Sequence, residues 1–408
     1  MTRVAPLLVV GLLALWMPSS SQALWGQKAR GCPRWEARLA QMEQAGEDPS
    51  SLRLRMLKKK LGTRCVALNE IQVLGTHNSY HIVPRPQLLS LLVAFDSAFA
   101  AFDYTHLPLD EQFSTQGIRQ IELDVFADPS GGLYDLRRGL ILVGQPADSG
   151  LPEMEQPGFK VLHVQDVDFE TTCTTFVGCL QTIKTWSATH TGHLPITVLI
   201  EAKDDVIPDP VNLGFTIPIP IGSAEFDALD AEIRSVFPKK RLITPDDLRH
   251  GRPTLEEAIL TIGWPRLGSV RDKVLFLLDN EGKRAAYLDG HPSLEGRVIF
   301  TNSTPGDPDA AFVKMNDPID PTIPSVVAAG YLVRTRADAD TSEARDGNTV
   351  PRDAALASGA QFVSTDYPVP NPAFGTGYFV EIPGGMPARC NPVNGSAGCR
   401  ADSLERLE

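Results

Sequence analysis

The stretch Ile71-Gln72-Val73-Leu74-Gly75-Thr76-His77-Asn78-Ser79-Tyr80-His81 sets a short apolar run directly against a polar loop. Such a run, bounded by polar residues, reads as a buried strand. It ends in two histidines and an asparagine, so it carries reactive side chains to the rim of a sheet or barrel. By itself the stretch also reads as a surface loop with a capping asparagine. The apolar runs further along the chain decide between the two.

Seven of them come after it: Ile118–Phe126, Lys160–Val164, Ile196–Ile200, Lys273–Leu278, Val298–Phe300, Tyr331–Val333 and Gln361–Val363. Helical patterns lie between several of them. Phe226, Leu229, Ile233 and Phe237 mark one apolar face, and Thr254 with Glu257 three residues later forms a capping-box start. Strands alternating with helices predict an α/β fold with a parallel sheet, and eight such strands predict an irregular (β/α)8 TIM-type barrel. Its site is then expected at the C-terminal strand ends. The proline-interrupted region 206–222 is expected to be a loop.

The strand ends carry the chemistry. Glu122 and Asp124, two apart in Ile121-Glu122-Leu123-Asp124-Val125, share one face of a strand whose other face is apolar. Two carboxylates in such a place are costly unless a cation neutralises them. His163 closes the run Val161-Leu162-His163, and Glu201 and Lys203 share a face after Val198-Leu199-Ile200. A hydrogen-bonded core histidine and a surface ion pair are the ordinary readings of these two. Four polar strand ends in succession make chance placement the weaker account. Asn78, Glu122, Asp124 and Glu201 offer only oxygen, which favours Ca2+ or Mg2+ over zinc. His77 and His163 are then left as an acid–base pair. A divalent cation with two histidines suits attack on a phosphodiester.

The bulk properties set the context. The 408 residues carry a net charge of −12 and contain no long basic run, which argues against nucleic acid as a partner. Arg3, the apolar segment Val4–Trp16 and Ser21-Gln22-Ala23 read as a signal peptide cleaved after Ala23. Its thirteen apolar-rich residues fall short of the ~20 needed to span a bilayer. The six cysteines suit an exported chain and are read as three local staples, Cys32–Cys65, Cys173–Cys179 and Cys390–Cys399, although spacing alone does not fix connectivity. Asn302-Ser303-Thr304 and Asn394-Gly395-Ser396 are sequons, meaningful only in a eukaryotic source. The expected organisation is a signal peptide (1–23), a helical N-terminal extension (24–70), a catalytic barrel (71–367) and a loop-rich tail (368–408).

The chain resembles the calcium-dependent phosphoinositide-specific phospholipase C family, in its secreted, single-catalytic-domain, microbial-type branch. The resemblance runs from about Ile71 to Tyr367 and is densest over 71–205. It is carried by Gly75-Thr76-His77-Asn78-Ser79-Tyr80, Tyr104-Thr105-His106, Gly117–Val125, Val161-Leu162-His163, Leu199-Ile200-Glu201, Leu332–Asp338 and Ser358–Tyr367. It implies an irregular β/α barrel with one Ca2+ held by Asn78, Glu122, Asp124 and Glu201, and His77 and His163 as catalytic histidines. It further implies cleavage of phosphatidylinositol, at a membrane surface or micelle, to diacylglycerol and a cyclic inositol phosphate. Val274-Leu275-Phe276-Leu277-Leu278-Asp279 has none of the lysines that the animal enzymes present to ring phosphates, which favours plain phosphatidylinositol or another lipid. Lys203, Arg334 and Arg336 are the expected contacts to substrate; Arg334 and Arg336 also read as a structural pair with Asp338 or Asp340. A metal-dependent barrel phosphodiesterase of the glycerophosphodiester or sphingomyelinase D type is the first alternative. Glu201, a fourth ligand from a later strand, argues against it. A secreted lipid-binding protein with a decayed site is the second, and the intact histidine and oxygen set argues against that.

Overall fold

Alternating strand and helix signals become, in the computed structural model, a sheet curled into a ring. The structure describes residues 31–405 and 407, so the expected signal peptide lies outside the described residues. Among the described residues eleven strands are formed: β1 (Ile71–Thr76), β2 (Gln120–Phe126), β3 (Lys160–Val161), β4 (Ile196–Ala202), β5 (Leu242–Ile243), β6 (Val274–Leu278), β7 (Ile299–Thr301), β8 (Phe312–Lys314), β9 (Leu332–Arg336), β10 (Phe362–Thr365) and β11 (Ala388–Cys390). Eight of them pair in parallel in the order β1-β2-β4-β6-β7-β8-β9-β10, and β10 returns to β1. The contact between β7 and β8 is a single parallel bridge, Asn302 to Phe312. The fold is therefore mixed α/β, a TIM-type barrel with one weak seam. β2, β4 and β6 are buried almost throughout, as parallel strands covered on both faces should be.

The expected set of staves needs two corrections, one strand removed and one added. The run from Lys160 is not a barrel stave. β3 has only two residues and pairs antiparallel with the end of β2, Val125 with Val161 and Phe126 with Lys160. The eighth stave is β8, three residues that carry no periodic signal. The barrel is otherwise irregular where proline and glycine predict it. Residues 206–222 form a loop, pinned where Asp209 accepts from the backbone of Leu213, Gly214 and Phe215. The helix Ser223–Val236 buries Phe226, Leu229 and Ile233 as expected, and Thr254 caps the helix Leu255–Thr261 by accepting from Glu257 N at 3.0 Å.

Ahead of the barrel, α1 (Cys32–Gln44) and α2 (Leu52–Arg64) form a hairpin tied by the Cys32–Cys65 disulfide. Leu39, Met42, Leu54 and Leu61 make its small core, whereas Leu52 and Met56 stay exposed. The other two cysteine pairs are bonded as read, Cys173–Cys179 and Cys390–Cys399. The tail is more ordered than a loop: β11 pairs antiparallel with the first residues of β1. The sequon at Asn302 sits in the seam itself. Asn302 Nδ2 donates to Asp279 O at 3.2 Å and its Oδ1 accepts from Lys314 N at 2.9 Å, so its amide is already engaged. No helix among the described residues is long and apolar enough to cross a membrane.

Candidate active site

The C-terminal end of β2 builds the acidic centre. Leu123 and Val125 are buried in the main core, and β2 has β1 on one edge and β4 on the other, so Glu122 and Asp124 stand inside the barrel rather than on a solvated edge. Glu201 of β4 is the register partner of Asp124. Oxygens of Glu122, Asp124 and Glu201 all lie within 4.8 Å of one another. Like charges this close disfavour ionisation, and burial adds to it. Burial, only partly offset by Arg334 and reinforced by Asp279 and Glu201, pushes Glu122 up to about 7. Burial and then Glu201 hold Asp124 well above the ordinary carboxyl range, against the pull of Lys203.

Two cations answer part of this charge. Arg334 Nη2 donates to Glu122 Oε2 at 2.7 Å. Lys203 Nζ lies 3.4 Å from Glu201 Oε1 and 3.6 Å from Asp124 Oδ2. With the three carboxylates ionised, one negative charge remains in excess. A dication turns that excess into one positive charge, which a phosphodiester monoanion would neutralise. The donor atoms fit such an ion. Both carboxylate oxygens of Asp124 and the Oδ1 of Asn78 are buried without a hydrogen-bond partner of normal geometry, a state that is costly unless something else coordinates them. Asn78 adopts φ 42°, a left-handed conformation that asparagine tolerates better than most residues. Its Nδ2 donates to Tyr104 Oη at 3.0 Å, which orients the amide and leaves Oδ1 as a ligand. The loop is fastened to β2 by Ser79, whose Oγ accepts from Glu122 N at 2.8 Å and whose N donates to Glu122 O at 2.9 Å.

The two histidines arrive by different routes. His77 follows β1, and its backbone N donates to Thr365 O at 3.1 Å. Its Nδ1 is 2.8 Å from Asp366 Oδ1, while Asp366 Oδ2 accepts from Arg336 Nη2 at 3.1 Å. Burial raises Asp366, but His77 and Arg336 outweigh it and hold the carboxyl well below its usual range. Burial and then the Arg336 guanidinium keep His77 below the ordinary imidazole range, against the pull of Asp366. An ionised carboxylate only accepts, so the proton of neutral His77 sits on Nδ1 and Nε2 offers a lone pair. His163 comes from the turn after β3, and its Nδ1 is 2.6 Å from Asp168 Oδ2. Asp168 also faces His81 Nε2 at 2.9 Å. Burial raises Asp168, and the charges and hydrogen bonds of His81 and His163 outweigh it to leave the carboxyl below its usual range. Tyr104 joins the two groups, its ring centroid 6.4 Å from that of His77 and 4.2 Å from that of His81. His81 in turn meets the ring of His163 edge-on at 5.6 Å.

The structure thus gathers His77, Asn78, Glu122, Asp124, Glu201 and Lys203 at one barrel rim and brings His163 to them from a hairpin rather than a stave. Arg334, expected to meet substrate phosphate, is instead 2% exposed and committed to Glu122, Ser364 and Asn316. Arg336 is bound to Asp366 and to the backbone O of Asp338. The sequence assigns no role of their own to Asp366, Asp168, His81 and Tyr104. Asp366 was within reach, because it follows an apolar strand run just as the other site residues do. Asp168 had no comparable signal, since only the turn after β3 brings it to His163.

A consequence for metal binding can be checked by calorimetry. A carboxyl whose folded pKa is raised stabilises the fold below its unfolded pKa, and that stability is lost as pH rises through the folded value. For Glu122 this window runs from its ordinary 4.5 to about 7. A cation must displace the proton there, so Ca2+ should raise Tm clearly at pH 8 and far less at pH 5. An equal gain at both would contradict the assignment of these carboxylates as ligands.

Residues 66–392 match the family model described as phosphoinositide phospholipase C, Ca2+-dependent. None of the curated proteins matches the chain. Among solved structures, a calcium-dependent phosphoinositol-specific phospholipase C from a Pseudomonas species aligns at 18% identity over 81% of this chain and 96% of its own, with a TM-score of 0.49. A Ca2+-dependent phosphatidylinositol-specific phospholipase C from Streptomyces antibioticus aligns at 18% identity over 76% and 97%, with a TM-score of 0.46. The phosphatidylinositol-specific phospholipase C of Listeria monocytogenes aligns at 12% identity over 77% and 95%, with a TM-score of 0.40.

Proposed function

The chain belongs to the calcium-dependent phosphoinositide phospholipase C family, and from that premise we propose that it is an exported enzyme that splits phosphatidylinositol, or a close relative, into diacylglycerol and a cyclic inositol phosphate. The observation that carries this reading is the joining of two carboxylate-anchored histidines to an oxygen-only donor set at one barrel rim. Asn78, Glu122, Asp124 and Glu201 would hold one Ca2+, which would supply positive charge for the phosphoryl oxygens and for the attacking hydroxyl.

The remaining chemistry belongs to the side chains. The inositol 2-hydroxyl, already beside phosphorus, is the nucleophile, so no protein nucleophile is needed. Its oxygen bonds to phosphorus while the bond from phosphorus to the glycerol oxygen breaks. His77 Nε2, which offers a lone pair, assists loss of the hydroxyl proton. Asp366 keeps its tautomer fixed. His163 gives a proton from Nε2 to the departing glycerol oxygen, and the ionised Asp168 stabilises the protonated ring that does so. The carboxylates of Glu122 and Asp124 also lie where they can share the hydroxyl proton. Lys203 and Arg336 remain the candidate substrate contacts, Arg334 being the counter-charge of Glu122.

The surroundings suit a lipid. The helix α3 (Pro86–Phe95) buries Leu88 and Leu92 against Leu140, Val167 and Phe169. Its other side leaves Leu91 and Phe95 exposed, Phe95 by 75%. Ile141, Val206 and Ile217 are also exposed on the loops after β2 and β4, and Phe102 packs on His163 with ring centroids 5.0 Å apart. An apolar rim thus leads to a catalytic histidine, and an exposed apolar surface beside a polar cleft fits docking on a lipid layer. Incubation with vesicles of single phospholipids tests the head group: the inositol lipid should release diacylglycerol and the choline and ethanolamine lipids should not. Equal cleavage of all of them would overturn the assignment.

A further inference from the structure

At the opposite end of the barrel, beneath the starts of β2, β4 and β6, lies a cavity of about 640 Å³. Arg55, Lys58 and Lys59 of α2 form one wall, Arg119 and Arg271 come from just before β2 and β6, and Trp186 lines it as well. In a chain of net charge −12, α2 stands apart: Leu52–Arg64 holds six lysines and arginines and no carboxylate. Two carboxylates reach the cavity. Glu405 is bound to Arg119, and Asp402 lies 3.2 Å from Lys58. Arg271 is committed to the backbone oxygens of Gly192 and Leu404.

Arg55 and Lys59 line the cavity, and their side chains have neither an ion pair nor a hydrogen bond among the described residues. They are four apart on one helix, so their charges are neighbours and repel. Counted together, the five cations and two carboxylates leave three positive charges in a concave site. An anion would relieve that repulsion, and a cluster of this kind gains most from a multiply charged phosphate group.

We propose that this cavity is a second site, which binds a soluble anion bearing two or more adjacent phosphate groups. A phosphorylated lipid head group shares that chemistry. The cavity lies at the far end of the barrel from the apolar rim, so a lipid layer docked on the rim is out of its reach, and the soluble source is the one the geometry favours.

Pyrophosphate is a suitable probe, titrated calorimetrically into the full exported chain. Saturable 1:1 binding is expected, weakened at least tenfold in the double variant Arg55→Glu, Lys59→Glu. Phosphodiesterase activity and Tm without pyrophosphate should be nearly unchanged in that variant, which separates a lost site from a lost fold. The milder Arg55→Gln, Lys59→Gln pair serves if the charge reversals unfold α2. Absence of saturable binding, or equal affinity in the Gln pair, would overturn the proposal. Vesicles of phosphatidylinositol should sediment both forms of the protein equally; loss of sedimentation in the Gln pair would assign the cavity to a lipid surface instead.

Discussion

Alanine at His163 should lower turnover on the natural lipid by about 10²–10⁴, the usual worth of a positioned acid, and so should alanine at His77. The two losses differ in kind. In the proposed mechanism His163, held on Asp168 at 2.6 Å, donates to the leaving oxygen, so a substrate whose leaving group needs no proton should restore much of the activity of His163→Ala. His77, held on Asp366 at 2.8 Å, is assigned in that mechanism to the attacking side, so the same substrate should leave His77→Ala impaired. Steady-state rates of both variants on both substrates check this. Equal rescue of the two, or loss below tenfold in either, would remove the assigned roles. Circular dichroism distinguishes these outcomes from unfolding, because each histidine is about one-fifth exposed and neither fills the main core.

Chelation should have a still larger effect. Glu122, Asp124 and Glu201 crowd three carboxylates within 4.8 Å, and among the described residues Arg334 and Lys203 form the ion pairs that answer them. Without a dication the centre repels the phosphodiester; with one it attracts it. Turnover should fall to background in excess chelator, and Ca2+ should restore it better than Mg2+, because the larger ion accepts irregular coordination and sheds water more readily. Asp124→Asn removes a proposed ligand whose buried oxygens have no hydrogen bond of normal geometry, and should abolish the Ca2+-dependent rise in Tm together with the activity. Full activity in chelator, or restoration by Zn2+ alone, would contradict the oxygen-only site.

Much of this architecture is written locally. The apolar staves β1, β2, β4 and β6 stand out because parallel strands covered on both faces need continuous apolar runs. Glu122, Asp124 and Glu201 stand out because each interrupts such a run near its C-terminal end. The errors share one cause. The apolar run Lys160–Val164 looks like a stave, yet an apolar run fixes neither the direction of a strand nor its place in a sheet, and β3 turned back on β2. β8, at three residues, is too short for any period to show. The long-range partners carry no local signal of their pairing. His77 and Asp366 are 289 residues apart, and Arg334 meets Glu122 across 212. Only closure of the barrel, from β10 back to β1, brings the first pair together.

The most direct test of the account is the fate of an inositol lipid that lacks its 2-hydroxyl. In the proposed mechanism His77 and His163 act on opposite sides of the phosphodiester with no protein nucleophile, so the substrate would attack itself. Phosphorus NMR of the natural lipid should therefore show the 1,2-cyclic phosphate before any open monoester, and the 2-deoxy lipid should bind, as a competitive inhibitor, without being cleaved. Cleavage of the 2-deoxy lipid at the normal rate would contradict cyclisation, and would place the protein with phosphodiesterases that use water.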